Sequence, residues 1–111
     1  VNRLSAWWRR QIHPDAIQSL TTQRIFDRGL VYFQSGCVCS LQIAPKEVIA
    51  NVQGSSLYQV KLWRRKGREL QTLCSCPFAS EGAICKHVVA VACALHHLST
   101  TESDVPTEKS S

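Results

Sequence analysis

Three thiols and an imidazole fall within fourteen residues of this chain: Cys74-Ser75-Cys76, eight intervening residues, then Cys85-Lys86-His87. Zn²⁺ prefers four tetrahedral nitrogen and sulfur donors, and two ligand pairs joined by a short loop can close on one ion without ordering distant chain. Alternation along a strand puts Cys74 and Cys76 on one side, and Pro77 halts the ladder beyond them. Gly82 permits the return. Cys85 then opens a helix whose N-terminal partial charge favours a thiolate, and His87 follows within the first turn. Four protein donors leave no position for water, so the sequence predicts one structural zinc and no catalytic metal. The alternative for these residues is a pair of buried thiols acting as small hydrophobes beside a polar helix histidine. That account suits one such residue better than four at this spacing.

Six cysteines in a short chain also raise a disulfide framework. Against it, the N-terminal VNRLSAWWRR has no continuous apolar run and no small-residue cleavage site, so no secretory signal is expected. The C-x-C spacings further place neighbours on one strand face, and His87 joins the thiols. Cys37 and Cys39 form a second C-x-C, open to a second metal or a redox partner. Strand alternation instead puts them in the core beside Leu41 and Ile43. Cys93 points away from the apolar stripe of the last helix. His96 and His97 lie nearly ten residues beyond His87, about 14 Å of helix rise, and are expected to be surface groups outside its coordination sphere.

Positive charge is uneven along the chain. Residues 1–36 carry +3, 37–73 carry +4, 74–99 carry zero and the segment from residue 100 carries −2. Trp63-Arg64-Arg65-Lys66-Gly67-Arg68 sets an aromatic beside four cations at an expected hairpin tip. It can grip phosphates or stack on a base; equally, it can be a solvated turn whose charges discourage edge pairing. Arg9 and Arg10 add to this charge from the N-terminal segment, beside the paired Trp7 and Trp8.

The elements that must position these residues are legible from periodicity. Leu4, Trp7, Trp8 and Ile12 repeat at helical spacing until His13-Pro14 interrupts them, and Pro14 then starts a second short helix to Leu20. Thr22 can cap a helix to Gln34, with Phe26, Leu30 and Phe33 on one face and Gly36 as its left-handed cap; this helix is expected to lie on a sheet. Four alternating runs read as an antiparallel meander: Cys37 to Ile43, Val48 to Val52, Tyr58 to Leu62, and Arg68 to Cys74. From Cys85 to Leu98 helical period returns, with Ile84, Val88, Val91, Leu95 and Leu98 as a narrow stripe. The expected fold is therefore α+β: N-terminal helices on a four-stranded antiparallel meander, with a zinc-bound loop leading into a C-terminal helix. Residues 1–98 form one domain, the finger proper being 74–98. The Ser, Thr and charge-rich residues 99–111 are expected to be disordered.

The C-x-C, gap, C-x-H string resembles the SWIM zinc finger family. Upstream, Arg28-Gly29-Leu30-Val31-Tyr32 followed by Gly36, then Val48 to Gly54 (VIANVQG) and Tyr58-Gln59-Val60, are similar to the segment preceding the finger in bacterial SWIM proteins associated with Swi/Snf-type helicases. Trp7 and Trp8 are similar to a tryptophan pair near their start. The resemblance spans residues 4–98 and implies a zinc-organised module for binding DNA or other proteins. It does not choose between them, and the Cys37-Val38-Cys39 run departs from the family's pattern.

At 111 residues the chain holds one small core, and neither G-x-x-x-x-G-K-[ST] nor G-x-G-x-x-G occurs. The longest apolar stretch, Val88 to Leu95, has eight residues, far short of the ~18 that span a bilayer. The function expected is binding, not catalysis: an accessory factor contacting DNA, a helicase or remodelling partner, or both, through Arg64, Arg65, Lys66, Arg68, Arg9 and Arg10. A second expectation is a protein adaptor that docks its partner on Trp7 and Trp8 and never touches DNA. A third is a thiol oxidoreductase using Cys74-Ser75-Cys76. No membrane and no small-molecule substrate is expected. The setting is cytoplasmic, associated with the nucleoid if the source is bacterial.

Overall fold

Helix starts follow the capping residues. In a computed structural model, which describes residues 5–64, 70–76 and 84–108 with side chains as far as Ser99, α1 spans Ala6–Ile12 and the Ser5 hydroxyl accepts from the Trp8 N–H. Pro14 opens α2 (Pro14–Gln18), ahead of which the His13 imidazole accepts from the Asp15 N–H. Thr22 caps α3 (Gln23–Gln34), its hydroxyl accepting from the Ile25 N–H at 3.2 Å. Gly36 ends α3 at φ +77°, where a side chain would be strained. There the Gly36 and Cys37 N–H groups donate to the carbonyls of Phe33 and Tyr32, a Schellman closure that satisfies two helix-end acceptors.

The four strands β1 (Val38–Ile43), β2 (Glu47–Gln53), β3 (Leu57–Arg64) and β4 (Leu70–Cys74) form one antiparallel sheet in sequential order, as the alternation predicts. Val48, Ala50 and Val52 of β2 lie opposite Leu62, Val60 and Tyr58 of β3, and this is the buried face. One expectation fails at the sheet's first strand. A β-bulge at Cys39 shifts the register between Val38 and Ser40, so Val38, Leu41 and Ile43 face inward while Cys39 is exposed and Cys37 is half-buried. Strict period 2 does not survive a bulge, because the extra residue reverses the phase upstream of it.

Helix α4 spans Lys86–Glu108 and is the centre of the domain. It contacts all four strands on one side, α3 along the other, and α1 and α2 at its flank. The predicted narrow stripe is therefore too small: Val88, Val89, Ala90, Val91, Ala92 and Leu95 are all buried, whereas Leu98 is exposed. For the same reason α3 packs on α4, not on the sheet. At their crossing Gly29 lets the backbones approach so closely that a Cβ built there would overlap the Val89 side chain and meet the Lys86 carbonyl at 2.8 Å. The helix also continues through residues 99–108, where the composition predicts disorder. Propagation from a helix already nucleated and buried costs little, and Thr and Glu residues can follow it. Among the described residues no helix is long and apolar enough to cross a membrane.

Candidate metal centre

Cys74 is the last residue of β4 and lies opposite Val60, so its side chain faces the buried side of the sheet. The Ser75 N–H donates to the Gln59 carbonyl and the Ser75 hydroxyl accepts from the Gln59 N–H, which prolongs the pairing by one residue. That holds Cys76 against the core. On the other side of the centre, Cys85 precedes the first turn of α4, its carbonyl accepting from the Val89 N–H, and the Thr21 hydroxyl donates to the Ile84 carbonyl. Pro77 to Ala83, including the expected Pro77 stop and Gly82 return, lie outside the described residues.

These anchors bring all four ligand atoms of Cys74, Cys76, Cys85 and His87 within 4.8 Å of one another, every residue being buried. The His87 Nδ1 is 3.7 Å from Cys74 Sγ and 3.8 Å from Cys85 Sγ. Tetrahedral zinc with Zn–S ~2.3 Å and Zn–N ~2.0–2.1 Å would separate sulfur from nitrogen by ~3.6 Å, so the donors already stand at about the edge length of the polyhedron. The chemistry of the set agrees. Cys74 and Cys85 share a hydrogen bond that keeps the Cys74 thiol protonated, reinforced by burial, and favours the Cys85 thiolate. A cation would displace that shared proton and offset most of the thiolate charge, three thiolates and a neutral imidazole around Zn²⁺ leaving a net charge of −1.

The His87 ring is set by neighbours that sequence spacing did not single out as site residues. Tyr58 stacks on it with centroids 4.6 Å apart, and Tyr32 meets it edge-on at 5.4 Å. The imidazole is 2% exposed, and Nε2 has no hydrogen-bond partner among the described residues. With Nδ1 on a metal, Nε2 carries the proton toward Gly54, where a built Cβ would lie 3.2 Å from it and 3.1 Å from the Tyr58 ring. Gly54→Val is therefore expected to weaken metal retention more than Gly54→Ala, because the larger side chain must push the imidazole off the thiols. Equal zinc affinity in a competition titration of both variants would refute this. In the sequence Gly54 ends VIANVQG and opens the Gly54-Ser55-Ser56 turn, neither of which points to the metal centre.

The other thiols and histidines stay apart from this centre. Burial pushes the Cys93 thiol up. His96 meets His13 edge to face at 5.3 Å and His97 lies against Phe33. Burial, then the nearby His13 and His97, hold His96 below the ordinary imidazole range.

The cations predicted from sequence sort differently. Arg9, Arg10 and Arg64 are exposed, while Arg65, Lys66 and Arg68 lie outside the described residues. Three segments meet at the end of the sheet where β1 turns into β2. The Trp8 indole N–H donates to the Pro45 carbonyl at 3.1 Å, the Arg64 N–H donates to the Lys46 carbonyl at 3.2 Å, and the Arg64 guanidinium lies 5.0 Å from the Trp7 ring centre. Lys46, in the turn between β1 and β2, thus joins Arg64 beside α1. The tryptophans themselves are not a docking pair: Trp7 and Trp8 are 8% and 3% exposed, pack edge to face, and belong to the core. An indole whose N–H finds a distant carbonyl can be buried whole.

Comparison with curated proteins and with solved structures gave no match. Comparison with family models matched the SWIM zinc finger over residues 58–95. That span begins on β3, takes in β4 and all four converging donors, and ends within α4 at Leu95, so the profile and the geometry select the same centre. The chain carries a SWIM zinc finger at residues 58–95, with Cys74, Cys76, Cys85 and His87 positioned to bind one zinc ion.

Proposed function

We propose that this zinc-binding module is an accessory factor that contacts nucleic acid phosphates through the basic end of its sheet and links it to a Swi/Snf-type helicase or similar remodelling partner. The observation that carries the nucleic-acid part is the meeting of Arg64 and Lys46 beside the helix that bears Arg9 and Arg10, segments far apart in sequence. In sequence Arg64 is followed by Arg65, Lys66 and Arg68, three further cations. Exposed guanidinium and ammonium groups gathered on one side of a fold are the electrostatic footprint of a polyanion site. All four donors of the centre come from the protein, which supports a binding role over catalysis. Three thiolate ligands suit the reducing cytoplasm. The helicase link rests on the upstream sequence resemblance.

Replacing Arg9, Arg10, Lys46 and Arg64 together by Ala should flatten the dependence of DNA affinity on salt. Each lost phosphate contact removes about 0.9 from the log–log slope for duplex and about 0.7 for single strands. Zinc content should stay at one per chain, since none of the four touches the metal centre. An unchanged slope would overturn the phosphate contact. The adaptor alternative then becomes the better account, though with a surface other than Trp7 and Trp8.

A further inference from the structure

Between α3 and the start of α4 lies a cavity of about 230 Å³, and the metal centre faces into it through Cys76, Cys85 and His87. The charged residues described in its wall are both cations, Arg28 and Lys86. Arg28 belongs to α3, upstream of the matched finger, whereas Lys86 stands between two of the donors. The Lys86 ammonium is held by an aromatic ring: it lies 5.7 Å from the Tyr32 ring centre, and Tyr32 in turn meets His87 edge-on. Arg28 is four residues before Tyr32, so the two share one face of α3. Gly29, next to Arg28, is where α3 comes so near α4 that a built Cβ would stand 2.8 Å from the Lys86 carbonyl. That close crossing brings the guanidinium-bearing turn to the donors. Arg28 is exposed and forms no ion pair with a described residue. Asp27 lines only the adjoining hollow, and its carboxylate accepts from the Gln23 side-chain amide at 2.8 Å.

We infer, on the zinc assignment and independently of the nucleic-acid reading, that Arg28 and Lys86 are charge partners of the metal centre. They offset the single negative charge that three thiolates and a neutral imidazole leave around Zn²⁺, so α3 helps to retain the ion although it supplies no ligand. The four donor residues are at most 7% exposed, and a net charge held away from water is costly unless an opposite charge stands near it. Guanidinium and ammonium groups have no lone pair to offer a metal, so they act on the centre by their field and not as further ligands. Groups outside the ligand shell set metal affinity in this way. A dissolved anion is the poorer account of the two cations, because the centre's own charge repels it from the same cavity.

The test reads zinc loss from the loaded full chain to an excess of an uncharged pyridine-based chelator, so that the chelator's own charge does not enter. Arg28→Met and Lys86→Met keep an apolar stem and remove the cation. Each should speed zinc loss by about 3- to 10-fold, the worth of one charge several ångströms away across a partly solvated gap. Arg28→Lys should stay close to the parent, and Arg28→Glu should lose zinc faster than Arg28→Met. Zinc content at saturation should remain one per chain throughout; its absence from the parent would refute the zinc assignment itself. Salt gives the second readout, since raising ionic strength from ~0.01 M to ~1 M shortens the screening length from ~30 Å to ~3 Å. Loss from the parent should accelerate with salt, and loss from Arg28→Met combined with Lys86→Met should change less. Parental rates in both Met variants would overturn the charge partnership, as would equally fast loss from Arg28→Lys and Arg28→Met, or a salt response as large in the double variant as in the parent. If a Met variant does not fold, the parent's own response decides, and a rate of zinc loss unchanged by salt refutes the partnership.

Discussion

Stripping zinc from the reduced protein is expected to be the most damaging single treatment of this domain. The centre ties β4 to the start of α4, and α4 is the element on which the sheet and all three N-terminal helices pack. Without a cation, three buried thiols and a buried imidazole must share protons in a space shaped for an ion, and binding energy at such a site is folding energy. Structural zinc in small fingers contributes ~10–16 kcal/mol. Here the sheet and helices have a core of their own, so only part of that sum is at stake. Even ~3 kcal/mol would lower the thermal midpoint by about 12–24 °C in a domain of this size. Hydrogen exchange should rise first at residues 74–76 and 84–95, with the β2–β3 pair least affected. Metal retention should also fall as pH falls, because protons compete for the thiolates and the imidazole. Elemental analysis showing no zinc in freshly reduced protein, or a full zinc load in Cys85→Ser combined with His87→Ala, would refute the assignment.

How much of this was legible beforehand depends on whether the information was local. The four donors were readable because two ligand pairs eight residues apart carry their own geometric argument. So were the Thr22 cap, the Gly36 closure and the alternation of β2 and β3, each fixed by residues within one turn or one strand. What failed depended on contacts distant in sequence. Trp8 is buried because its indole N–H reaches Pro45, thirty-seven positions away, and no local pattern separates a buried tryptophan from a docking one. Cys39 is exposed because of a bulge against β2, a property of the pair and not of the strand. The apolar stripe on α4 was read too narrow because a helix enclosed by a sheet and three helices buries small residues such as Ala90 and Ala92 that leave no amphipathic signal. The basic end followed the same rule: Lys46 and Arg64 are adjacent only through the β2–β3 pairing.

Gly29 gives the sharpest test of that enclosed packing, and Gly29→Ala is expected to destabilise the domain although it improves intrinsic helix propensity. In an isolated helix the change would stabilise by about 1 kcal/mol. In the folded domain the new methyl would overlap the Cβ and Cγ1 of Val89 and stand 2.8 Å from the Lys86 carbonyl oxygen. A flexible side-chain tip could swing away; a Cβ and a backbone carbonyl cannot, so α3 and α4 must separate. Overpacking of this kind costs ~1–3 kcal/mol, and more where the backbone has to move. Lys86 stands between Cys85 and His87, so the displacement should also loosen zinc, which a chelator competition would read as faster metal loss. Moving the bulk to the other helix supplies the control. Gly29→Ala combined with Val89→Gly should lose less stability than the two single changes added together, because the residues share one contact. A Gly29→Ala protein at least as stable as its parent, with unchanged metal loss, would mean that propensity outweighs packing here and that the two helices do not approach as closely as Gly29 requires.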